Sequence, residues 1–411
     1  MLAEWIHAHP PDRTFVTGDG GTLTYGDLAA AFPAEGTGQV VVEPDGSFRS
    51  VVELMTVPAR GRQMVVVDPD LPEAERRRRA EVARPAASRQ AMTILFTSGT
   101  TGPAKAVRLT EDNWNAAARA SARHLGHEAD DVWLAAMPLH HVGGLSILYR
   151  SALVGATVRW IPRFSVGPVA EALRGDVTIA SVVPTMLRRI LDHDDDAYAG
   201  LKAVLVGGGP IPDGLLEEAH SRGVPALPTY GMTETCAQVA TLRPGSAPRK
   251  AAHPLSGIEL RIGVEGRIEL RGPQVSPGYA DEDDRSTEDW FVTPDRGRLA
   301  EDGTLVVLGR ADDVVVTGGE NVYPGEVEAA LLSHPQVEAA AVTGIPDPEW
   351  GSMLVAGYQG DVEESELLGW ISHRLARYQV PRVLRRLETL PTTGGGKPDR
   401  AALGRALASD S

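Results

Sequence analysis

The chain contains one cysteine, Cys236, in 411 residues, which excludes an intramolecular disulfide and fits a reducing compartment. Lysine is scarce as well: Lys105, Lys202, Lys250 and Lys397 are all there are, and arginine carries most of the basic charge. A net charge of -15 argues against a nucleic-acid partner, because a phosphate backbone requires a basic face. No hydrophobic run is long enough to span a bilayer. The N-terminus, MLAEWIHAHPPDRT, lacks the basic start and apolar centre of a secretory signal. These absences predict a cytoplasmic protein with neither membrane nor nucleic acid as partner. A composition of 42% hydrophobic and 23% charged residues is that of a globular protein, and the length predicts two or more domains.

What is present is concentrated in Thr97–Lys105, TSGTTGPAK. Glycines (Gly99, Gly102) let a backbone approach an anion closely, the hydroxyls of Thr97, Ser98, Thr100 and Thr101 are rotatable donors, and Lys105 adds a compact positive charge. This combination predicts a cradle for the phosphates of a nucleoside triphosphate. It is not a Walker loop, since Ala104 precedes the lysine and Ala106 stands where a magnesium-binding Ser or Thr would be. The flanks, Met92–Phe96 and Ala106–Leu109, are both extended in pattern, so the loop is expected at the tip of a hairpin.

From residue 91 to about 230, apolar runs at Val132–Met137, Thr178–Val183 and Ala203–Val206 alternate with helical patterns at Asn113–Leu125 and Pro184–Leu191. That alternation predicts α/β layers. After Gly257 the repeated IELRIG and GRIELRG predict a β-rich subdomain. Beyond Arg310, a strand at Val314–Thr317, a helix at Pro324–Ser333, a strand near Ala339–Thr343 and a helix at Glu363–Arg374 predict a small α+β domain. The boundary falls at Asp312 and Asp313, dividing the chain into 1–311 and 312–411. Arg76–Arg79, flanked by Glu73, Glu75 and Glu81, reads as a solvated helix face, and the aspartates from Asp192 to Asp196 read as an exposed helix end without calcium-loop spacing.

Four further motifs carry chemistry. In YGMTET, Tyr230 can stack on a base, Gly231 lets the backbone approach, Met232 and Thr233 continue the run with a donor for phosphate, and Glu234 offers a hard oxygen to Mg2+. Gly207, Gly208 and Gly209 follow a strand and can lie flat against a planar base. Asp295 is an acid suited to ribose hydroxyls, and Arg310 a base near them. Lys397 ends a glycine-rich PTTGGGK close to the C-terminus. Cys236 lies near Glu234, but no base at a supporting spacing makes it a nucleophile.

TSGTTG, YGMTET, GRADD with GGENVYP, and PTTGGGK occur in an order that resembles the adenylate-forming superfamily of acyl-CoA synthetases, luciferases and adenylation domains, over nearly the whole chain from Leu23. The resemblance implies a large N-terminal domain of α/β layers plus a β-rich subdomain, with a small mobile C-terminal domain. It implies ATP, Mg2+ and coenzyme A as cofactors and a small-molecule carboxylic acid as substrate. It makes Lys397 the catalytic lysine, with Glu234 and Thr233 beside it, and Asp312 the hinge. It places Gly318, Gly319 and Glu320 on the face that admits the thiol, in a sequence similar to that of coenzyme A users.

Met137–Arg150, MPLHHVGGLSILYR, occupies the position of the superfamily's acyl pocket. With Gln238 it resembles the branch that ligates coenzyme A to o-succinylbenzoate in menaquinone synthesis. His141, Gly143, Ser146, Arg150 and Gln238 are the implied substrate residues, and Arg150 is suited to a second carboxylate because it stays ionised and binds bidentately. A helix-surface arginine is the competing reading. His140 is read as packing or surface, and no third ligand accompanies the histidine pair. Three departures stand out: PAKA in the loop, Pro294 before Asp295, and a short region before the loop, which bears on the oligomer interface. A homodimer is left open. A ligase for another aromatic or aliphatic acid, and a nucleotide-binding protein without turnover, are the alternatives.

Overall fold

The computed structural model describes all residues except 33–35, 89, 98–103, 194–197, 393–397 and 409–411. Among the described residues the strands form five sheets. The largest has nine strands, and its centre is parallel: Thr157–Trp160, Val132–Ala135, Ile179–Val182, Ala203–Val206 and Ala226–Met232 lie side by side in that order. The strands IASV and AVLV are buried at every position, as expected where helices cover both faces of a parallel sheet. The connecting helices include Val142–Val154, Val166–Arg174, Pro184–His193 and Leu215–Ser221. Helix Pro184–His193 buries Pro184, Leu187, Ile190 and Leu191, one stripe at helical spacing. Helix Val142–Val154 is different: every residue from Gly144 to Ala152 is buried, so it is an interior helix with no solvent face along that stretch.

A second, five-stranded sheet carries the expected hairpin. Thr93–Phe96 and Ala106–Leu109 pair antiparallel from Thr93↔Leu109 to Phe96↔Ala106, and Gln39–Val42 and Gln63–Val66 extend the sheet in parallel. Helix Glu73–Ala83 buries little besides Ala83, and its arginines pair with Glu43, Glu73 and Glu75, so that charge run is a solvated face. A four-stranded antiparallel sheet holds Glu259–Ile262, Arg267–Arg271, Phe291–Leu299 and Leu305–Arg310, its first two strands joined through Gly263 and Gly266.

The C-terminal part has its own core around Val327, Leu331, Val342, Ala356, Tyr358 and Leu367. Here Val337–Asp347 and Gly351–Gly360 form a long hairpin joined in parallel by Val383–Arg386. Arg400 reaches Asp313, Glu328 and the carbonyl of Val342, which stitches the last helix to this unit. No described helix is long and apolar enough to cross a membrane.

Candidate functional site

The C-terminal ends of the parallel strands form one edge of the large sheet, where ligands of open α/β sheets bind. Val206 leads directly into Gly207, Gly208 and Gly209. A Cβ on Gly207 would lie 2.7 Å from the carbonyl oxygen of Thr229 on the next strand, and Gly208 has φ of +80°, so both need glycine. Gly231 is more constrained, since a Cβ there would lie 1.7 Å from the carbonyl oxygen of Ala237. Strand Ala226–Met232 folds back at this point through a short turn, Thr233–Thr235, onto Ala237–Thr241. Cys236, φ 53°, is buried in the turn, and burial pushes its thiol well above the usual range, which leaves it protonated and unreactive.

The base of the hairpin loop lies beside this turn, where strand Ala106–Leu109 contacts Thr233–Thr235. Thr97 N–H donates to the Lys105 carbonyl at 3.0 Å and Lys105 N–H to Thr97 Oγ1 at 3.1 Å, closing the base of the loop. Ser98, Gly99, Thr100, Thr101 and Gly102 lie outside the described residues. The two elements meet at Tyr279, which the motif reading missed: its hydroxyl donates to Glu234 Oε1 at 2.8 Å, and Lys105 Nζ lies 4.6 Å from its ring centroid. Ser276 N–H also donates to the Glu234 carbonyl at 2.8 Å. The missed signal was SPGYA, a small run whose tyrosine closes Gly278–Tyr279 onto the hairpin strand.

Asp295 and Arg310 stand directly opposite each other on neighbouring strands. Tyr230 donates its hydroxyl to Asp295 Oδ2 at 2.9 Å, and its own ionisation is pushed up by burial and by the Asp295 charge. Tyr230 therefore orients the carboxylate, a task additional to the stacking expected of its ring. The Arg310 Nε–H is buried without a protein partner and lies on the same pair of strands. Pro294 accepts from Ala311 N–H at 2.8 Å through its carbonyl.

Helix Val142–Val154 starts at this edge with His141 as its exposed N-cap and runs inward. Gly143 and Ser146 are linked by a 2.9 Å bond from the serine hydroxyl to the glycine carbonyl. Arg150, about 10 Å further along the axis, is 3% exposed. Its Nε and Nη2 have no protein partner, its guanidinium carbon lies 5.5 Å from the Trp133 ring centroid, and burial lowers its pKa to about 10. The surface reading of Arg150 is thereby excluded. On the edge of Trp133 sits His127, also missed: it is 4% exposed, both ring nitrogens lack partners, and burial holds its pKa down to about 4. The Gln238 amide is taken up internally, accepting from Ser121 at 2.9 Å and donating to Thr241 at 2.5 Å. His140 packs beside His141 and lies 3.6 Å from Asp68; among the described residues no cluster of His, Cys, Asp or Glu could hold a metal ion by itself.

In the C-terminal part Gly318 and Gly319, φ +58° and +86°, make the two-residue turn between Val315–Thr317 and Glu320–Val322, and Glu320 is exposed. Asp312 pairs with Arg267 at 3.5 Å, whereas the adjacent Asp313 pairs with Arg400 at 3.2 Å. Lys397 lies outside the described residues.

Comparison with known proteins places the chain in a family. The model of the AMP-binding enzyme family matches residues 37–280, and that of the AMP-binding enzyme C-terminal domain matches residues 326–397. The 2-succinylbenzoate–CoA ligase of Bacillus licheniformis is 42% identical over 326 residues, covering 75% of this chain and 68% of its own. Two solved structures of o-succinylbenzoate CoA synthetase from Bacillus subtilis share the fold. The complex with the acyl-adenylate intermediate OSB-AMP has a TM-score of 0.88 at 30% identity, covering 98% of this chain and 97% of that one. The complex with ATP and a magnesium ion has a TM-score of 0.87 at 30% identity, covering 98% of each. By its sequence motifs, its sheet topology and these matches, the chain belongs to the AMP-binding enzyme family.

Proposed function

We propose that the protein is an ATP-dependent, AMP-forming ligase that joins o-succinylbenzoate to coenzyme A through an acyl-adenylate. The observation that carries the choice of acid is Arg150, a buried guanidinium with two unpartnered nitrogens at the inner end of the pocket helix. An unpaired buried charge is costly, and a second carboxylate on the substrate is the group that would neutralise it. The relatives named above act on this dicarboxylate. His127, neutral beside the same tryptophan, adds a donor and an acceptor to that end of the site.

The residues fit ATP and magnesium. The orphaned Arg310 N–H and the Asp295 carboxylate suit ribose hydroxyls, and Gly207–Gly209 suit the base. Glu234 has one oxygen committed to Tyr279, and among the described residues its other oxygen is available for a metal. Glu234 would hold a magnesium ion, which would supply charge neutralisation at the phosphates. Lys105 with Thr97 and the loop between them hold the pyrophosphate side, Thr233 donates to phosphate, and Lys397 bridges the acid and the α-phosphate. The acid carboxylate attacks the α-phosphorus and pyrophosphate leaves; no general base is needed, so catalysis is alignment and electrostatic stabilisation. Residues 1–311 and 312–411 act as two bodies about Asp312, and the Gly318, Gly319, Glu320 face then replaces that of Lys397 to admit the thiol. A cytoplasmic setting suits these substrates and the single buried thiol.

Acid-dependent ATP–pyrophosphate exchange over a panel of acids, with and without coenzyme A, tests this reading. Exchange is expected with o-succinylbenzoate. Equal exchange with monocarboxylates would favour a ligase for another acid, and no exchange with any acid would leave a nucleotide-binding protein without turnover.

A further inference from the structure

We propose that Tyr279 is a positioning residue that keeps the phosphate-binding lysine and the metal-binding carboxylate apart and correctly aimed; this rests on the roles given above to Lys105 and Glu234. The site contains an intrinsic conflict. A lysine and a glutamate approaching one ligand from two sides would, in its absence, pair with each other and cancel the charges that ATP and magnesium require. Yet among the described residues Lys105 forms no ion pair. Tyr279 contacts both, presenting its ring face to the ammonium at 4.6 Å and its hydroxyl to Glu234 Oε1 at 2.8 Å. One side chain thus satisfies the cation through its π-system and the anion through a hydrogen bond. The hydroxyl also occupies one carboxylate oxygen, which leaves the other for a metal.

The placement is rigid because Tyr279 is tied at several points. Arg108, completely buried, donates from Nε to the Tyr279 carbonyl at 2.9 Å, from Nη1 to Asp284 at 2.6 Å and from Nη2 to the Glu282 carbonyl at 3.3 Å. Ser276 Oγ donates back to the Arg108 carbonyl at 2.7 Å. The segment carrying Tyr279 is therefore clamped to the hairpin that carries Lys105.

The experiment measures ATP binding by calorimetry, in EDTA and across a Mg2+ titration, for the wild type, Tyr279→Phe and Tyr279→Leu, with thermal unfolding as a folding control. Tyr279→Phe keeps the ring and loses the hydroxyl, so EDTA binding is expected at the wild-type level while the Mg2+ midpoint rises about ten-fold or more. Tyr279→Leu removes both and lets Lys105 reach Glu234, so it is expected to weaken ATP binding in EDTA as well, by about three-fold or more. A wild-type or lower Mg2+ midpoint in Tyr279→Phe, or equal losses with and without Mg2+, would overturn the proposal. Absence of ATP binding in the wild type would instead remove the ligase reading itself.

Discussion

Replacing Arg150 by methionine should separate substrate recognition from stability in opposite directions. Arg150 is 3% exposed, and burial lowers its pKa from the ordinary guanidinium range to about 10. Holding that charge therefore costs the fold about 3 kcal/mol. Methionine fills a similar volume without the charge, so the variant should unfold at the same or a higher temperature. With substrate bound the balance reverses. Charge-assisted hydrogen bonds to a second carboxylate are worth about 1.5–3 kcal/mol each, and losing two lowers kcat/KM about 10²–10⁴-fold. The assay is pyrophosphate exchange with o-succinylbenzoate and with an analogue whose second carboxylate is replaced by methyl. The variant should lose the preference for the dicarboxylate while handling the analogue like the wild type, with the change appearing mainly in KM. An unchanged preference, or a large fall in unfolding temperature, would refute the argument and make Arg150 a structural residue.

Lys397→Ala is expected to abolish adenylation but to spare thioester formation from supplied acyl-adenylate; single-turnover assays of the two half-reactions measure this, and loss of both would contradict two alternating faces. Gly231→Ala would place a methyl group 1.7 Å from the Ala237 carbonyl oxygen, so a loss of stability above about 4 kcal/mol is expected; a variant melting within a few degrees of the wild type would show that the hairpin can relax. His127 has a folded pKa of about 4 against an ordinary 6.5, so the unfolded chain binds its proton more readily between those values. Its contribution to stability is fully present above about pH 6.5 and falls as the pH drops, by about 3 kcal/mol at pH 4. Urea midpoints at pH 5 and 7 should differ less in His127→Leu than in the wild type, and equal differences would mean that the imidazole is not buried neutral.

Much of the architecture was legible because it is written in local patterns. AVLV is an apolar run bounded by glycine, and its strand lies at the positions its pattern implies. The helix beginning at Pro184 follows from apolar spacing, and the hairpin at Thr93–Leu109 follows from two extended flanks around a glycine loop. Asp295 and Arg310 were legible as residue types, and the strand register sets them opposite each other. Tyr279 and Tyr230 were not legible in these roles. Their partners, Glu234 and Asp295, are 45 and 65 residues away in sequence, and which side chains meet across such separations depends on how separate sheets pack.

The sequence by itself determined the chemistry on offer: a glycine and hydroxyl loop for phosphate, a hard carboxylate at Glu234, an isolated Lys397, and the family to which that set points. Tertiary structure alone decided the electrostatics. Asp312 and Asp313 are identical neighbours in sequence, yet one pairs with Arg267 and the other with Arg400. Arg150 is one arginine among many until an interior helix removes its water and leaves two nitrogens unpartnered. The physical reason is that residue type sets which charge a side chain can carry, whereas burial and neighbours, which only the folded chain supplies, set what that charge costs and what it must bind.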